Sequence, residues 1–214
     1  MTYKIINTGS DGNAVIIENI LIDCGVSFKK LKDHYKKISV VFLTHIHTDH
    51  FNRTTIKKLS QERPTLRFGA CEWLIQDLVN CGVNKKNIDI LEIGKTYNYN
   101  LFEIKPIRLY HDVENCGYMI FKENKKGIYI TDTNTLDGIE AKDFDLYLVE
   151  ANYEEEIIDQ RIKEKEEKGQ FAYEYRAKNS HLSKEKTNEW LIANMGENSQ
   201  YEYLHVSKER EKHE

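Results

Sequence analysis

The order of apolar runs and helix-like stretches predicts an α/β (α+β) chain, a single four-layer αββα sandwich with two sheets packed face to face and helices outside. Three observations carry this expectation. The first half alternates short runs rich in Val, Ile and Leu with helical stretches, and the second half repeats that order. The 214 residues are also enough for one domain, 1–214, with a substantial core.

Strands are predicted at 3–6, 14–17, 21–23 and 40–43, punctuated by Gly9, Gly12 and Gly25. Helices are predicted at 28–35, 54–59 and 72–79, the last with Leu74, Leu78 and Val79 on one face. In the second half, strands are predicted at 101–108, 118–121, 127–131 and 146–150, then helices from Tyr153 and from Lys184. A last strand at 203–206, containing His205, precedes a charged tail from about 207. Residues 154–168 are dense in charge, and Ile157, Ile158 and Ile162 give that helix a narrow buried stripe. Phe171, Tyr173 and Tyr175 stand at alternate positions and read as packing, with a base-stacking platform as the alternative.

Composition is that of a soluble globular protein, 40% hydrophobic and 31% charged. No segment approaches the roughly 18 uninterrupted apolar residues of a membrane span, and the N-terminus lacks the blocks of a signal peptide. The expectation is therefore a cytoplasmic protein with no membrane partner. Cys24, Cys71, Cys81 and Cys116 form no CxxC pair and read as free core thiols. A net charge of -4 gives no general attraction to nucleic acid.

The densest chemical signal is Thr44-His45-Ile46-His47-Thr48-Asp49-His50, directly behind the apolar run 40–43. Imidazole and carboxylate suit a borderline metal such as Zn²⁺, and two-residue spacing turns His45 and His47 the same way from an extended segment. A bend after Leu43 brings Asp49 and His50 toward a second metal. A dinuclear site needs further donors at strand ends, and His111, Asp132 and His205 meet that requirement.

The order Asp23, HxHxDH at 45–50, His111, Asp132 and a late histidine resembles the metallo-β-lactamase superfamily over nearly the whole chain. Within it, Thr8 to Ala14, Leu21 to Gly25, His111-Asp112, Gly117-Tyr118, Thr131 to Thr133, Glu150 to Asn152, Ser180 to Ser183 and Leu204 to Ser207 resemble the WalJ (YycJ) group of exonuclease-like proteins. Lys184 and Arg210 depart from that group, which tends to carry asparagine there.

The resemblance implies two divalent ions, zinc or alternatively manganese. One would be held by His45, His47 and His111, and the other by Asp49, His50 and the last histidine, with Asp132 bridging. His181 and His205 compete for that last role. Similarity to the tRNA-processing nuclease branch favours His205, leaving His181 as the proton donor oriented by Glu150. His181, Glu150 and Asp49 are then the expected catalytic residues, and Asp23 orients the HxHxDH loop through hydrogen bonds. The expected activity is phosphodiester hydrolysis of DNA or RNA by a metal-activated hydroxide. A small-molecule ester, thioester or lactone hydrolase is the first alternative. A non-catalytic metal-binding regulatory protein is the second.

Overall fold

The computed structural model describes residues 1–207, which fall into two compact units divided at Pro106. Arg210 and the charged tail beyond Ser207 lie outside the described residues.

The first unit is a six-stranded sheet in sequential order, β1 (Tyr3–Asn7), β2 (Ala14–Ile17), β3 (Ile20–Ile22), β4 (Val40–Leu43), β5 (Arg67–Cys71) and β6 (Ile88–Leu91). The β1–β2 and β2–β3 pairs are antiparallel, whereas β3 through β6 run parallel. Parallel strands need crossovers, and α1 (Phe28–Leu31), α2 (Arg53–Glu62) and α3 (Ile75–Asn80) supply them. All four residues of β4 are buried, as expected of a strand covered on both faces. Leu31, Ile56, Leu59, Leu74 and Leu78 reach from the helices into one apolar cluster with Val41, Leu43, Phe68 and Ala70.

The helix expected over 28–35 closes after Leu31, and a separate 3₁₀ turn covers Tyr35–Lys37. The Arg63 guanidinium at the end of α2 donates to the carbonyls of Tyr35 and Ile38 at 2.7 and 2.8 Å and fixes that turn. The expected helix at 72–79 likewise begins as a 3₁₀ turn, Glu72–Leu74, before α3.

Strand β8 (Glu103–Tyr110) runs across the division, and β7 (Tyr97–Asn98) pairs antiparallel with its first residues. In the second unit the strands lie in the order β12 (Gln200–Leu204), β11 (Leu146–Glu150), β10 (Lys125–Ile130), β9 (Glu114–Lys122) and β8. β10, β11 and β12 are parallel neighbours, while β9 and β10 form a hairpin. Helices α4 (Glu155–Glu167), α5 (Glu174–Ser180) and α6 (Lys184–Asn194) lie between β11 and β12 in the chain. Their cluster joins Leu182 and Leu191 to Ile128, Ile130, Tyr147 and Val149.

Two expectations are corrected here. The last strand spans Gln200–Leu204, not 203–206, so His205 follows the strand and takes φ 52°, which ends the pairing with β11. The aromatics of 171–175 do not pack: Phe171 is 88% exposed, and Tyr173 and Tyr175 are about half exposed. Polar contacts hold the two tyrosines instead, with Lys165 Nζ 3.6 Å from the Tyr173 ring and the Tyr175 hydroxyl donating to Glu166. In α4, Ile158 and Ile162 are buried but Ile157 is exposed. All four cysteines are free and buried. No helix among the described residues is long and apolar enough to cross a membrane.

Candidate functional site

Buried β4 releases the chain at Leu43 into the loop carrying His45, His47, Asp49 and His50, where a rigid strand end presents polar groups. Asp23 organises this loop from the end of β3, fully buried and at φ 60°. One of its carboxylate oxygens accepts the Thr44 amide at 3.0 Å and the Thr44 hydroxyl at 2.9 Å, and the other accepts His50 Nδ1–H at 2.7 Å. Because the Thr44 proton is committed to Asp23, its oxygen accepts from His45 Nδ1 at 2.9 Å. Both rings therefore carry the proton on Nδ1 and the lone pair on Nε2, the tautomer a ligand through Nε2 requires.

The His45 ring centroid lies 4.2 Å from that of His50 and 4.9 Å from that of His47. Asp49 Oδ2 is 3.6 Å from His50 Nε2, and its side chain keeps about a fifth of its surface open. Gly25 sits against this loop so closely that a Cβ would fall 1.6 Å from the Asp49 carbonyl oxygen. The turn through Gly9 and Gly12 has a function that turn chemistry alone does not reveal. It places the Asn13 side-chain amide 2.7 Å from His50 Nε2 and the Asn13 backbone N–H on the Asp49 carbonyl.

In the second unit, His111 follows β8 and donates Nδ1–H to the Ser180 carbonyl at 2.9 Å. Its Nε2 lies 3.2 Å from Asp112 Oδ1 and 3.6 Å from Asp132 Oδ2. Burial pushes the His111 pKa down, and the Asp132 charge works against that shift. Asp132 is 2% exposed at φ 53°, with Oδ1 accepting the Thr131 hydroxyl at 2.7 Å and the carbonyl held by Asn115 at 2.6 Å.

Glu150 ends β11 fully buried. Its Oε2 accepts the Thr133 amide at 3.0 Å, and its Oε1 lies 2.5 Å from His181 Nδ1. His181 follows α5, with its side chain 16% exposed. His205 Nε2 is 3.7 Å from Asp132 Oδ1, and the His181 and His205 rings stack at 5.1 Å and 12°. Donor atoms of Asp132, Glu150, His181 and His205 all lie within 4.8 Å of one another.

His205 differs from the other rings in its partner. The Asn152 side-chain nitrogen lies 2.8 Å from Nδ1 and donates at 2.9 Å to the His205 carbonyl, so the neutral ring carries its proton on Nε2.

The candidates thus form two sets, Asp23 with the histidines and aspartate of 45–50 in the first unit, and His111, Asp132, Glu150, His181 and His205 in the second. Imidazole and carboxylate donors of this burial fit a divalent ion of the zinc or manganese type. Asn13, Ser180 and Asn152 position the candidate rings, a role that the sequence did not assign to them. Their signal was membership of the motifs Thr8 to Ala14, Ser180 to Ser183 and Glu150 to Asn152. A cavity of about 600 Å³ in the first unit opens beside Ser39 and Val40, at the start of β4 and the opposite end from His45.

A family model described as the beta-lactamase superfamily domain matches residues 18–197. The chain is 29% identical over 153 residues to ribonuclease Z of Borrelia garinii subsp. bavariensis, covering 56% of this chain and 46% of the relative. It spans about half the length of the curated relatives it matches. These relatives are ribonuclease Z proteins and do not single out the WalJ group.

Among solved structures, human tRNase Z, short form, superposes with a TM-score of 0.72 at 15% identity, covering 98% of this chain and 94% of that one. The metallo-beta-lactamase fold protein YhfI from Bacillus subtilis gives 0.71 at 16% identity, covering 96% and 85%. The α/β metallo-β-lactamase fold is common to them, and with the family model matched over most of its length this chain belongs to the β-lactamase superfamily.

Proposed function

We propose that the chain is a single-domain, metal-dependent phosphodiesterase that cleaves RNA, with two zinc ions as its cofactors. The observation that carries this reading is the grip of buried Glu150 on His181 beside Asp132, a carboxylate-held imidazole next to metal-type donors. Similarity to ribonuclease Z supports RNA as the substrate.

His45, His47 and His111 would hold one ion, Asp49, His50 and His205 the other, with Asp132 shared. When bound, such ions supply Lewis acidity at a phosphoryl oxygen and lower the pKa of a nearby water. The chain's own residues supply orientation and a proton. Thr133 fixes Glu150 and Glu150 fixes His181 Nδ1, so Nε2 of the partly exposed ring delivers its proton to the departing oxygen. Asn13 must release His50 Nε2, and the His205 proton must pass from Nε2 to Nδ1, for these rings to bind an ion through Nε2.

His181→Ala should keep its zinc in metal analysis while hydrolysis falls by about 10²–10⁴-fold. Loss of one metal equivalent in that variant would exchange the roles of His181 and His205. End-labelled RNA and DNA, a small phosphodiester, a lactone and a thioester, each offered to the metal-loaded protein, test the reaction class. RNA cleavage is expected, and turnover of the lactone or thioester with no phosphodiester hydrolysis overturns the proposal.

A further inference from the structure

The chain is acidic overall, but its basic residues are unevenly placed. Residues 28–37 and 53–63 hold nine of the 31 lysines and arginines against only Asp33 and Glu62, a local formal charge of +7. These residues make α1, the 3₁₀ turn Tyr35–Lys37 and α2, and α1 packs on α2. Lys29, Lys30, Lys32, Lys36, Lys37, Lys57 and Lys58 are all exposed. Among the described residues, Lys58 pairs with Glu62 at 2.8 Å and Lys30 donates to Asn7, whereas Lys29, Lys32, Lys36, Lys37 and Lys57 enter no ion pair.

The surface is built rather than loose. Arg63 spends its guanidinium on backbone carbonyls of the 3₁₀ turn, and the Phe28 and Tyr35 rings meet at 5.1 Å. Leu31, Ile56 and Leu59 are fully buried beneath the lysines. The two helices also start beside the HxHxDH loop, α1 after the segment that ends β3 and α2 after the loop itself. Cys24 bridges to Phe51, the Asn52 amide donates to the Cys24 carbonyl at 2.9 Å, and each helix starts within a few residues of that pairing.

We propose that this lysine face is a docking surface for the phosphate backbone of RNA, leading to the loop Thr44 to His50. The inference deepens the RNA-cleaving reading and rests on it. Clustered cations that outnumber their carboxylates nine to two release counterions from a polyanion, and a surface that starts beside the site can deliver a strand to it. An anionic membrane is the less suitable partner, because the apolar side chains that would insert into lipid are turned into the core here.

The test uses the full chain carrying Lys32→Gln, Lys36→Gln, Lys37→Gln and Lys57→Gln together, with binding to a fluorescent single-stranded RNA followed across salt concentrations. Affinity at low salt should fall at least about tenfold and the slope of log K against log salt should shrink by about 2–3, as for four lost phosphate contacts at ~0.7 each. Hydrolysis of bis(4-nitrophenyl) phosphate should be unchanged, and the corresponding four Lys→Arg changes should restore binding.

Unaltered RNA affinity and salt slope would overturn the proposal, as would equal losses from Lys163→Gln on α4 with Lys168→Gln at its C-terminal cap. Parent protein that binds phosphatidylserine vesicles in preference to RNA would overturn it too. A parent that hydrolyses the small diester but does not bind RNA defeats the docking surface alone. Lysine-dependent RNA binding without diester hydrolysis upholds the surface and defeats the catalytic reading.

Discussion

Asp23 shows how much of the site depends on a residue proposed to touch no metal. It satisfies the Thr44 amide, the Thr44 hydroxyl and His50 Nδ1, all buried, and through Thr44 it also sets the proton on His45. Asp23→Ala leaves donors in the interior without acceptors, at about 1–3 kcal/mol for each group that water cannot reach. A loss of roughly 2–4 kcal/mol in denaturant unfolding is expected, together with weaker zinc retention, since neither ring keeps its Nε2 lone pair by constraint. Unchanged stability and zinc content would remove Asp23 from this role. Asp23→Asn should be milder, because the amide oxygen can still accept from Thr44.

At the scale of elements, helix α2 ties the loop to the core. Its N-cap Asn52 accepts the Thr55 amide at 3.0 Å, two residues after His50. Asn52→Ala should cost about 1 kcal/mol, read as a lower unfolding midpoint, and the same stability in both proteins would show the cap to be dispensable. Some elements were legible and others were not, for local reasons. β4 was plain because four consecutive residues are apolar and all are buried. β5 was missed because Gly69 interrupts it, yet a Cβ there would lie 2.4 Å from the Phe42 ring, so the glycine makes room for a neighbouring strand. β6 was missed because Asp89 interrupts it, and that carboxylate is held by Arg67 of β5. Helix α5 was missed because Phe171, Tyr173 and Tyr175, which lead into it, alternate as in a strand while the contacts of the tyrosines are polar. The candidate ligands were legible because strand ends and short motifs are local. The roles of Asn13 and Ser180 were not, because their partners are distant in sequence.

For the whole molecule, alkaline pH should be the destabilising direction among groups that titrate upward. Burial first, then the charges of Glu155 and Glu150, pushes the Tyr153 hydroxyl up to about 12. Tyr99, Tyr147 and Cys24 are raised as well, each chiefly by burial. A folded-state pKa above the unfolded one means the native state holds its proton longer. The contribution of Tyr153 is therefore complete below about pH 10 and is lost as pH rises toward about 12. Circular dichroism followed from pH 9 upward should show unfolding in that window, with Tyr153→Phe moving it to higher pH; an unmoved transition would exclude Tyr153 as a contributor. The left-handed backbone at Asp23, Asp132 and His205 bears on a different question, how far this chain could be hardened. Glycine would relieve such a conformation by about 1–2 kcal/mol, but at Asp23 and Asp132 it would also strip the acceptors from buried donors, so the strain is not recoverable as stability there. Any gain in melting temperature would have to come from elsewhere in the chain, because the three residues are proposed to orient or bind ions and their strain comes with that role.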